Sequence, residues 1–418
     1  MKITDLVVTP IAFADPPLLN STGVHEPLAL RTVVQVVVDC PDGPIIGLGE
    51  GSGERLVVER LDAVRDAVIG QSVFATSSIE AVVDATLGGD TGGLSRIERR
   101  IVFSILEVAC LDAQGKLLGV PVSDLLGGAV RDAVPYSAYL FYKWDGHPAL
   151  DGRPAIPDPW GAAVDPAGLV AQARLMIDEF GFSSIKLKGG VFPPDQEIAS
   201  VRALADAFPG LPLRIDPNGA WSVATSHQVA RELSGVLEYL EDPTLGLDAM
   251  ADVAAQASMP LATNMCVVSI ETFAEGVAKD AVGVVLSDHH YWGGLRHTRE
   301  LGALCDTFGL AMSMHSNSHL GISLAAMTQV AAATPNLAYA CDTHYPWNRH
   351  DDVVRPGVLR FVDGAVPVPS GPGLGVELDP DALDRLHQQY VESGRSTRDD
   401  TSYMRRVQPG YDPTLPRF

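Results

Sequence analysis

Seven residues with chemically reactive side chains recur at nearly constant intervals in the second half of the chain. Each follows an apolar run, and neighbouring members are 23 to 29 residues apart. The seven are Lys188, Asp216, Glu241, Asn264, Asp288, His315 and His344. One strand and one helix occupy about that length in a (β/α)₈ barrel, whose catalytic groups project from several strand ends onto one face. The spacing therefore predicts a single site assembled from seven units.

Two lysines stand two residues apart at the end of the first of these runs. Lys186 and Lys188 point to the same side if the run is a strand, because side chains alternate along a strand. Two ammonium groups held side by side lower each other's pKa, which can make a lysine a base near neutral pH. The alternative interpretation is a strand end that carries two solvated lysines.

Three consecutive runs each end in an oxygen-bearing side chain, namely Asp216, Glu241 and Asn264. Carboxylate and amide oxygens, with the other positions left to water or substrate, suit Mg²⁺. Any one of the three could instead belong to a turn or a helix cap, as the turn-like sequence at 216–219 illustrates. Their joint occurrence at matched spacing favours a metal site.

The next two runs end in Asp288 and His315, which could form a carboxylate–imidazole pair. A carboxylate bonded to one ring nitrogen fixes the tautomer and raises the basicity of the other nitrogen. With the lysines across the barrel, two proton-transfer groups would flank one metal ion. Such a site could remove the weakly acidic proton beside a carboxylate, because a divalent cation stabilises the enediolate that forms. Loss of a neighbouring hydroxyl would then complete a dehydration.

The elements that must position these residues alternate regularly from residue 134 onward. The strand-like runs are 134–139, 184–188, 213–216, 237–241, 261–264, 282–288, 311–315 and 337–342. Helical patterns lie between them, and one of these is opened by Asp165-Pro166 and closed by Gly181. Eight strands alternating with helices predict an α/β fold with a parallel sheet closed into a barrel. A doubly wound open sheet is the alternative, but it would not explain reactive groups on seven strand ends.

The first 130 residues follow a different pattern. Strand-like runs at 33–39 and 45–50 flank a turn at 41–44, and a helical pattern ends near Gly119. We therefore predict an α+β domain over 1–130, a barrel over 131–370 and a C-terminal segment over 371–418. That segment contains one short helix around 382–390, and its Arg-rich stretch at 395–406 has the composition of a mobile surface tail.

The composition excludes several classes of function. Lys and Arg number 30 against 52 Asp and Glu, a balance of −22 that repels phosphate backbones and anionic membrane surfaces. The five cysteines are scattered, which argues against a disulfide framework or a zinc knuckle. No signal-like start and no apolar stretch of the roughly 20 residues that span a bilayer occur. We expect a soluble cytoplasmic protein with no nucleic-acid or membrane partner.

Taken in order, the motifs resemble those of the enolase superfamily, and within it they look most like the glucarate dehydratases of the mandelate racemase-like group. The barrel motifs are Lys186-Leu187-Lys188-Gly189-Gly190, Asp216-Pro217-Asn218-Gly219-Ala220-Trp221, Glu241-Asp242-Pro243, Ala262-Thr263-Asn264-Met265, Ser287-Asp288 with Trp292, and His315-Ser316-Asn317. Outside them the similarity extends to Leu19-Asn20, Gly23-Val24-His25, Tyr139-Leu140-Phe141-Tyr142, Asp342-Thr343-His344, Gly373-Leu374-Gly375-Val376-Glu377 and Arg398-Asp399-Asp400. The most discriminating match is the third expected metal ligand, which is Asn264 in this chain and usually Glu in the wider group.

This resemblance implies an N-terminal α+β capping domain over a (β/α)₇β TIM-type barrel, with the C-terminal segment returning to the cap. It implies that Lys188 is the base on one face, that His315 with Asp288 acts on the other, and that Lys186 assists at the substrate carboxylate. It also implies a set of residues that bind the sugar diacid: Asn20, His25, Ser104, Tyr139, Asn218, Ser316, Asn317, His344 and Arg398. Ser104 stands where the family has Thr, and the segment after Pro243 is shorter, so the preferred stereoisomer is left open.

The implied activity is Mg²⁺-dependent dehydration of an acid sugar, with D-glucarate and L-idarate as the expected substrates of a homo-oligomeric enzyme. Lys188 would remove the proton and His315 would protonate the departing hydroxyl. The alternatives are a dehydratase or epimerase of another sugar acid and a non-catalytic paralogue that binds an acid sugar. A metal hydrolase is disfavoured because the first strand carries no His-x-His pair.

Overall fold

The computed structural model describes residues 1–89, 94–150, 152–348 and 351–418. Its first part contains five strands, β1 Ile3–Ala14, β2 Leu19–Asn20, β3 Gly23–Val24, β4 Leu28–Val38 and β5 Ile45–Ser52. β1, β4 and β5 form an antiparallel sheet in that order, and β2 pairs with β3. The predicted hairpin is confirmed as β4 and β5, with Val33 opposite Glu50.

Four helices complete the N-terminal part, α1 Arg55–Val68, α2 Thr76–Gly88, α3 Arg96–Leu118 and α4 Val122–Leu125. A capping box joins Ser95 and Glu98 at the start of α3, and Gly119 ends the helix in the left-handed conformation at φ 71°. α3 packs closely on β5 through Gly47, because any Cβ at this position would overlap the Ala109 carbonyl oxygen. This part is the N-terminal cap.

The remaining strands are β6 Ala133–Pro135, β7 Ala138–Phe141, β8 Gly146–His147, β9 Ile156–Pro157, β10 Ile185–Lys188, β11 Leu213–Asp216, β12 Leu237–Glu241, β13 Leu261–Thr263, β14 Val284–Ser287, β15 Ala311–Met314 and β16 Ala365–Pro367. The helices are α5 Pro166–Phe180, α6 Pro194–Ala207, α7 Val223–Glu232, α8 Leu247–Ala254, α9 Ile270–Ala278, α10 His289–Trp292, α11 Leu295–Phe308, α12 Gly321–Ala332, α13 Pro380–Ser393 and α14 Asp400–Val407, with a 3₁₀ helix at Tyr345–Asn348. α5 has the predicted bounds, since Asp165 caps its start and Gly181 ends it.

β7 and β10 to β15 form one seven-stranded parallel sheet, with each strand beside the next in chain order. Its ends meet through residues 337–341, because Leu337 bridges Met312 of β15 and Cys341 bridges Tyr136 just before β7. The fold is therefore an α/β TIM-type barrel with an N-terminal cap, and β-strand carboxyl ends meet at one mouth. None of the helices in the described ranges combines the length and apolar character needed to cross a membrane.

Two of the eight predicted strands differ in the structure. The run 134–139 is divided, because β6 pairs with β16 whereas β7 pairs with β10. The run 337–342 forms only isolated bridges rather than a strand. Its ladder is interrupted because side chains take its carbonyl oxygens, with both Arg214 and Ser313 donating to Ala340 O.

The C-terminal segment returns to the cap, where α13 packs on β1 and His387 Nδ1 bonds Pro10 O at 2.7 Å. The interpretation of 395–406 as a mobile tail is wrong. This stretch contains α14, and its Arg398 guanidinium forms a bidentate ion pair with Asp400 and a third bond to Asp15. β6 and β16 bring the two ends of 131–370 together, while the domain borders themselves stay predictions.

Candidate active site

The three predicted metal ligands come together at the carboxyl ends of adjacent strands. Asp216 ends β11, Glu241 ends β12 and Asn264 follows β13, and these strands are neighbours in the sheet. Asp216 and Glu241 are fully buried and Asn264 is 8% exposed. Burial raises the pKa of Glu241 well above its usual value, and the nearby Asp216 carboxylate raises it further. A nearby cation would favour the ionised form of these two buried acidic groups.

Lys186 lies beneath these carboxylates and not in the open cavity. Its Nζ is 2.7 Å from Glu241 Oε1 and 2.6 Å from Asp342 Oδ2, and it lies 4.7 Å from the centre of the Tyr139 ring. Burial lowers the pKa of Lys186, but the carboxylates of Asp342, Glu241 and Asp216 outweigh it and hold the pKa well above the usual value. The prediction that the neighbouring ammonium group lowers the pKa is therefore wrong for Lys186, which is a fixed positive charge.

Lys188 reaches the cavity above this layer. It donates hydrogen bonds to Asp216 Oδ2 at 2.6 Å and to Asn218 Oδ1 at 2.7 Å. Burial raises the pKa of Asp216, but Lys188 and Lys186 reverse the effect, and the net shift is downward. Asp216 is thus ionised and holds the lysine at the cavity wall.

The donor set fits a hard divalent cation. Asn264 Oδ1 is buried and has no hydrogen-bond partner among the residues that the structure describes. Glu241 Oε2 also lacks an aligned donor within those residues, although Lys186 Nζ lies 2.6 Å away. Asp242 accepts hydrogen bonds from Thr263 Oγ1 at 2.5 Å and from the Asn264 backbone at 2.9 Å, which fixes the loop that presents the amide. An unpartnered amide oxygen beside two buried carboxylates is a set of hard oxygen donors that suits Mg²⁺.

Asp288 and His315 form the predicted pair at the ends of β14 and β15. His315 Nδ1 lies 3.1 Å from Asp288 Oδ2, which leaves Nε2 for proton transfer. Burial raises the pKa of Asp288, but His290 and His315 lower it, and the net pKa lies well below the usual value. Asp288 is therefore ionised and orients His315.

Lys188 and His315, the two predicted proton-transfer groups, line one cavity of about 650 Å³. Most of the predicted site residues line it: Asn20, His25, Tyr139, Lys188, Asn218, Asn264, His315, Ser316, Asn317, His344 and Arg398. Lys186, Asp216 and Asp288 do not line it, but each contacts a residue that does. Glu241 lies behind them, against Lys186. Strands β10 and β15 are separated by four strands of the barrel, so Lys188 and His315 approach the cavity from different sides.

The cap contributes the outer wall of the cavity. His25 Nδ1 lies 3.1 Å from Asp15 Oδ2, and the same carboxylate oxygen accepts a hydrogen bond from Arg398 Nη1 at 3.0 Å. Asn20 Oδ1 accepts from the backbone of Thr22 and Gly23, which shapes the β2–β3 turn. The first and last parts of the chain therefore meet over the barrel mouth.

Besides Asn218, four predicted binding residues come from the barrel itself: Tyr139, Ser316, Asn317 and His344. Asn317 donates to Asp288 Oδ2 at 2.9 Å, and His344 Nδ1 lies 3.1 Å from Ser316 O. Burial, and then nearby titratable groups that include Lys188, hold the pKa of His344 well below its usual value, so its ring is neutral. Tyr139 packs edge-on against this ring at 4.9 Å.

Ser104 is the one predicted binding residue that the structure does not bring to the cavity. It lies within α3, fully buried, and its Oγ donates to Ile101 O at 2.8 Å. Ile97, about two turns earlier on the same helix, lines the cavity instead. The helix therefore presents an apolar side chain, not a hydroxyl, at the outer wall.

Three residues of the site escaped the sequence analysis. Asp342 holds Lys186, Tyr291 accepts a hydrogen bond from Asn317 at 3.1 Å, and Arg31 lines the cavity from β4. Asp342 ends the last strand-like run, so the strand-end rule could have identified it. Arg31 had a signal too, because a charged residue inside an apolar strand needs a buried partner.

Comparison with known proteins agrees with this geometry. The family model for enolase C-terminal domain-like proteins matches residues 168–382. A protein named probable glucarate dehydratase from Streptomyces coelicolor is 52% identical over 434 residues, which cover 100% of this chain and 99% of the relative.

Solved structures extend the likeness to the whole fold. An enolase from Mycobacterium smegmatis, solved with tartrate, is 62% identical with a TM-score of 0.95 and covers 100% of this chain and 98% of its own. An enolase from Thermobispora bispora, solved with magnesium and formate, is 57% identical with a TM-score of 0.95 and full coverage of both chains.

Proposed function

We propose a specific reaction for this chain, which belongs to the enolase superfamily and, within it, to the glucarate dehydratase family, and is therefore a hydro-lyase. The proposed reaction is the dehydration of D-glucarate and L-idarate to 5-dehydro-4-deoxy-D-glucarate. The observation that carries the proposal is that Lys188 and His315 line one cavity beside three oxygen ligands. A sugar diacid also suits the cationic groups of this cavity, Arg31 and Arg398, in a chain that is otherwise strongly acidic.

Asp216, Glu241 and Asn264 would hold Mg²⁺. When bound, the cation supplies positive charge that stabilises the negative charge developing on the substrate carboxylate during proton removal. Lys186 remains charged beneath the ligands and adds to that stabilisation without exchanging a proton.

Lys188 removes the proton from the carbon beside the carboxylate, and its pairing with Asp216 and Asn218 aims Nζ at that position. The electron pair of the broken C–H bond forms a C=C bond as the hydroxyl on the adjacent carbon leaves. His315, oriented by Asp288, protonates this hydroxyl, so water departs. The enol that remains tautomerises to the 5-keto product.

Bases on different sides of the cavity favour a second reaction of the same carbon. Lys188 and His315 can each remove or return the proton, which would interconvert the two epimers before elimination. We propose this epimerisation as a side reaction of the dehydratase, since both groups act on one intermediate.

The test is dehydration of D-glucarate and L-idarate by Lys188→Ala and His315→Asn variants, followed as formation of the keto product. Positioned acid–base groups contribute roughly 10²- to 10⁴-fold to rate, so each variant should lose at least 100-fold in kcat. Lys279→Ala and His227→Asn, which lie outside the cavity, are the matched controls. Full dehydration rates in both cavity variants would contradict the assignment.

The metal assignment has a separate test in binding. Calorimetry should show that EDTA-treated protein binds added Mg²⁺. The Tm of this protein should also rise when Mg²⁺ is added, because a ligand that binds only the folded state stabilises it. Asn264→Ala should remove most of this rise.

A cytoplasmic location and a homo-oligomeric state stay predictions. The mass of the protein in solution checks the oligomeric state.

A further inference from the structure

His290 lies directly behind the Asp288–His315 pair and has no role in the mechanism above. Its Nδ1 is 2.8 Å from Asp288 Oδ1, and its Nε2 is 3.0 Å from the backbone carbonyl oxygen of Glu50. The residue is only 8% exposed. Asp288, His289 and His290 place possible ligand atoms within 4.8 Å of one another, but both ring nitrogens of His290 are already directed at oxygen atoms.

These two contacts fix the orientation of the ring. A carboxylate oxygen and a carbonyl oxygen are both hydrogen-bond acceptors, and each of them faces one ring nitrogen. The Arg31 guanidinium lies farther from Nε2, at 3.4 Å, and is paired with Glu50 Oε1 at 2.9 Å. The His289 ring packs against the His290 ring at a tilt, with 4.0 Å between ring centres. His290 is therefore held between the Asp288 carboxylate and the Glu50 carbonyl oxygen.

Glu50 connects His290 to the start of helix α12. Its carboxylate accepts hydrogen bonds from the backbone of Leu320 at 2.8 Å and of Ser323 at 2.9 Å, at the start of α12. That helix follows the loop that carries His315 and Asn317. The same residue of β5 thus holds the loop after β14 through its carbonyl and the helix after β15 through its side chain.

We propose that His290 is a positioning residue, which holds Asp288, and through it His315, in place from cap strand β5. The inference rests on the proposed function for its kinetic consequence and not for its structural part. Asp288 Oδ1 receives both the ring and the backbone N–H of His290, which leaves Oδ2 to face His315 and Asn317. Without the ring, the carboxylate is free to turn, and His315 loses its orientation while Lys188 keeps its own partners.

The kinetic test uses His290→Gln in D₂O and follows solvent deuterium entering the carbon beside the carboxylate of each epimer. The Lys188→Ala and His315→Asn variants show which base the deuterium exchange of each epimer depends on. We expect His290→Gln to lower the His315-dependent exchange and kcat for dehydration about 10- to 100-fold, the usual effect of losing a partner of a functional group. Exchange at the Lys188 face and KM should stay within about twofold of the wild type.

The ratio of the two exchange rates does not depend on how much of the variant is folded, because both are measured on the same molecules. The matched control is His297→Gln, since His297 also bridges the cap and barrel with both ring nitrogens, bonding Glu80 and Glu300 away from the cavity. It should leave the ratio unchanged. A His290→Gln variant that loses both exchanges equally, or neither, would overturn the proposal.

A second measurement needs no substrate. Protein labelled with ¹⁵N-histidine should show a ring N–H signal of His290, hydrogen-bonded to Asp288, that is absent in His290→Gln. The Nδ1–H signal of His315 should move in that variant and stay fixed in His297→Gln. An unmoved His315 signal would overturn the positioning role, whereas a wild-type enzyme that turns over neither epimer but shows these signals would overturn only the proposed function.

Discussion

Lys186 Nζ lies 2.6 Å from Asp342 Oδ2, which places a third acidic side chain, after Asp216 and Glu241, beneath the proposed metal site. The same ammonium donates to Glu241 Oε1 at 2.7 Å. Asp342 therefore takes up part of the lysine's positive charge and leaves more of the Glu241 charge for a cation. The layer under the cavity balances its charges through this contact.

Replacing Asp342 by Asn should weaken metal binding. The variant keeps the shape of the side chain but removes its charge, so Lys186 turns its full charge toward Glu241 and repels a divalent ion. We expect the Kd for Mg²⁺ to rise about 10- to 100-fold, as for other partners of metal ligands. Calorimetry on EDTA-treated protein measures this. Asp363→Asn, on the exposed surface, should bind like the wild type, and equal affinities for both variants would refute the charge-balance argument.

The pH dependence of stability should carry a contribution from Glu107. This carboxyl of α3 is buried and accepts hydrogen bonds from the backbone of Leu295 and Arg296 at the start of α11. Burial raises its pKa from 4.5 to about 7, so the folded state binds the proton more tightly than the unfolded chain. The resulting stability is present below pH 4.5 and is lost as the pH rises through about 7.

Glu107→Gln should therefore remove part of that pH dependence. The free energy of unfolding of the wild type, minus that of the variant, should fall by up to about 3 kcal/mol between pH 4.5 and pH 7.5. Urea titrations at several pH values measure the difference, which cancels the contributions of other buried acids. A difference that stays level or rises with pH would contradict the assignment.

Close packing between α3 and β5 predicts a destabilising substitution at Gly47. A methyl group there would overlap the carbonyl oxygen of Ala109, so Gly47→Ala must push the helix away from the sheet. Overpacking of this kind costs about 1–3 kcal/mol of unfolding free energy, measurable by urea denaturation. Gly88→Ala is the control, because nothing lies within 4 Å of its added Cβ. Equal stability of the two variants would show that the cap relaxes without cost.

Much of the barrel could be predicted because its signals are local. β11 and β12 have the predicted bounds, and α5 begins and ends at the predicted residues, since turn and capping residues act within a few positions of the chain. The reactive groups at the strand ends were identifiable because parallel strands put their carboxyl ends at one mouth. The fold class thus followed from the period of the pattern, and residue type led to the proposed metal ligands.

The sequence by itself determined the alternation of strands and helices and the chemical types gathered at their ends. Only the tertiary structure decided that Lys186 stays charged beneath the proposed metal ligands, that Ser104 turns away from the cavity, and that Arg398 pairs with Asp400 and Asp15. It also joined His290 to the carbonyl of Glu50, 240 residues away. Periodicity describes neighbours along the chain, whereas hydrogen bonds and charge balance depend on which distant surfaces pack together, so the environment of each group forms only when the cap closes on the barrel.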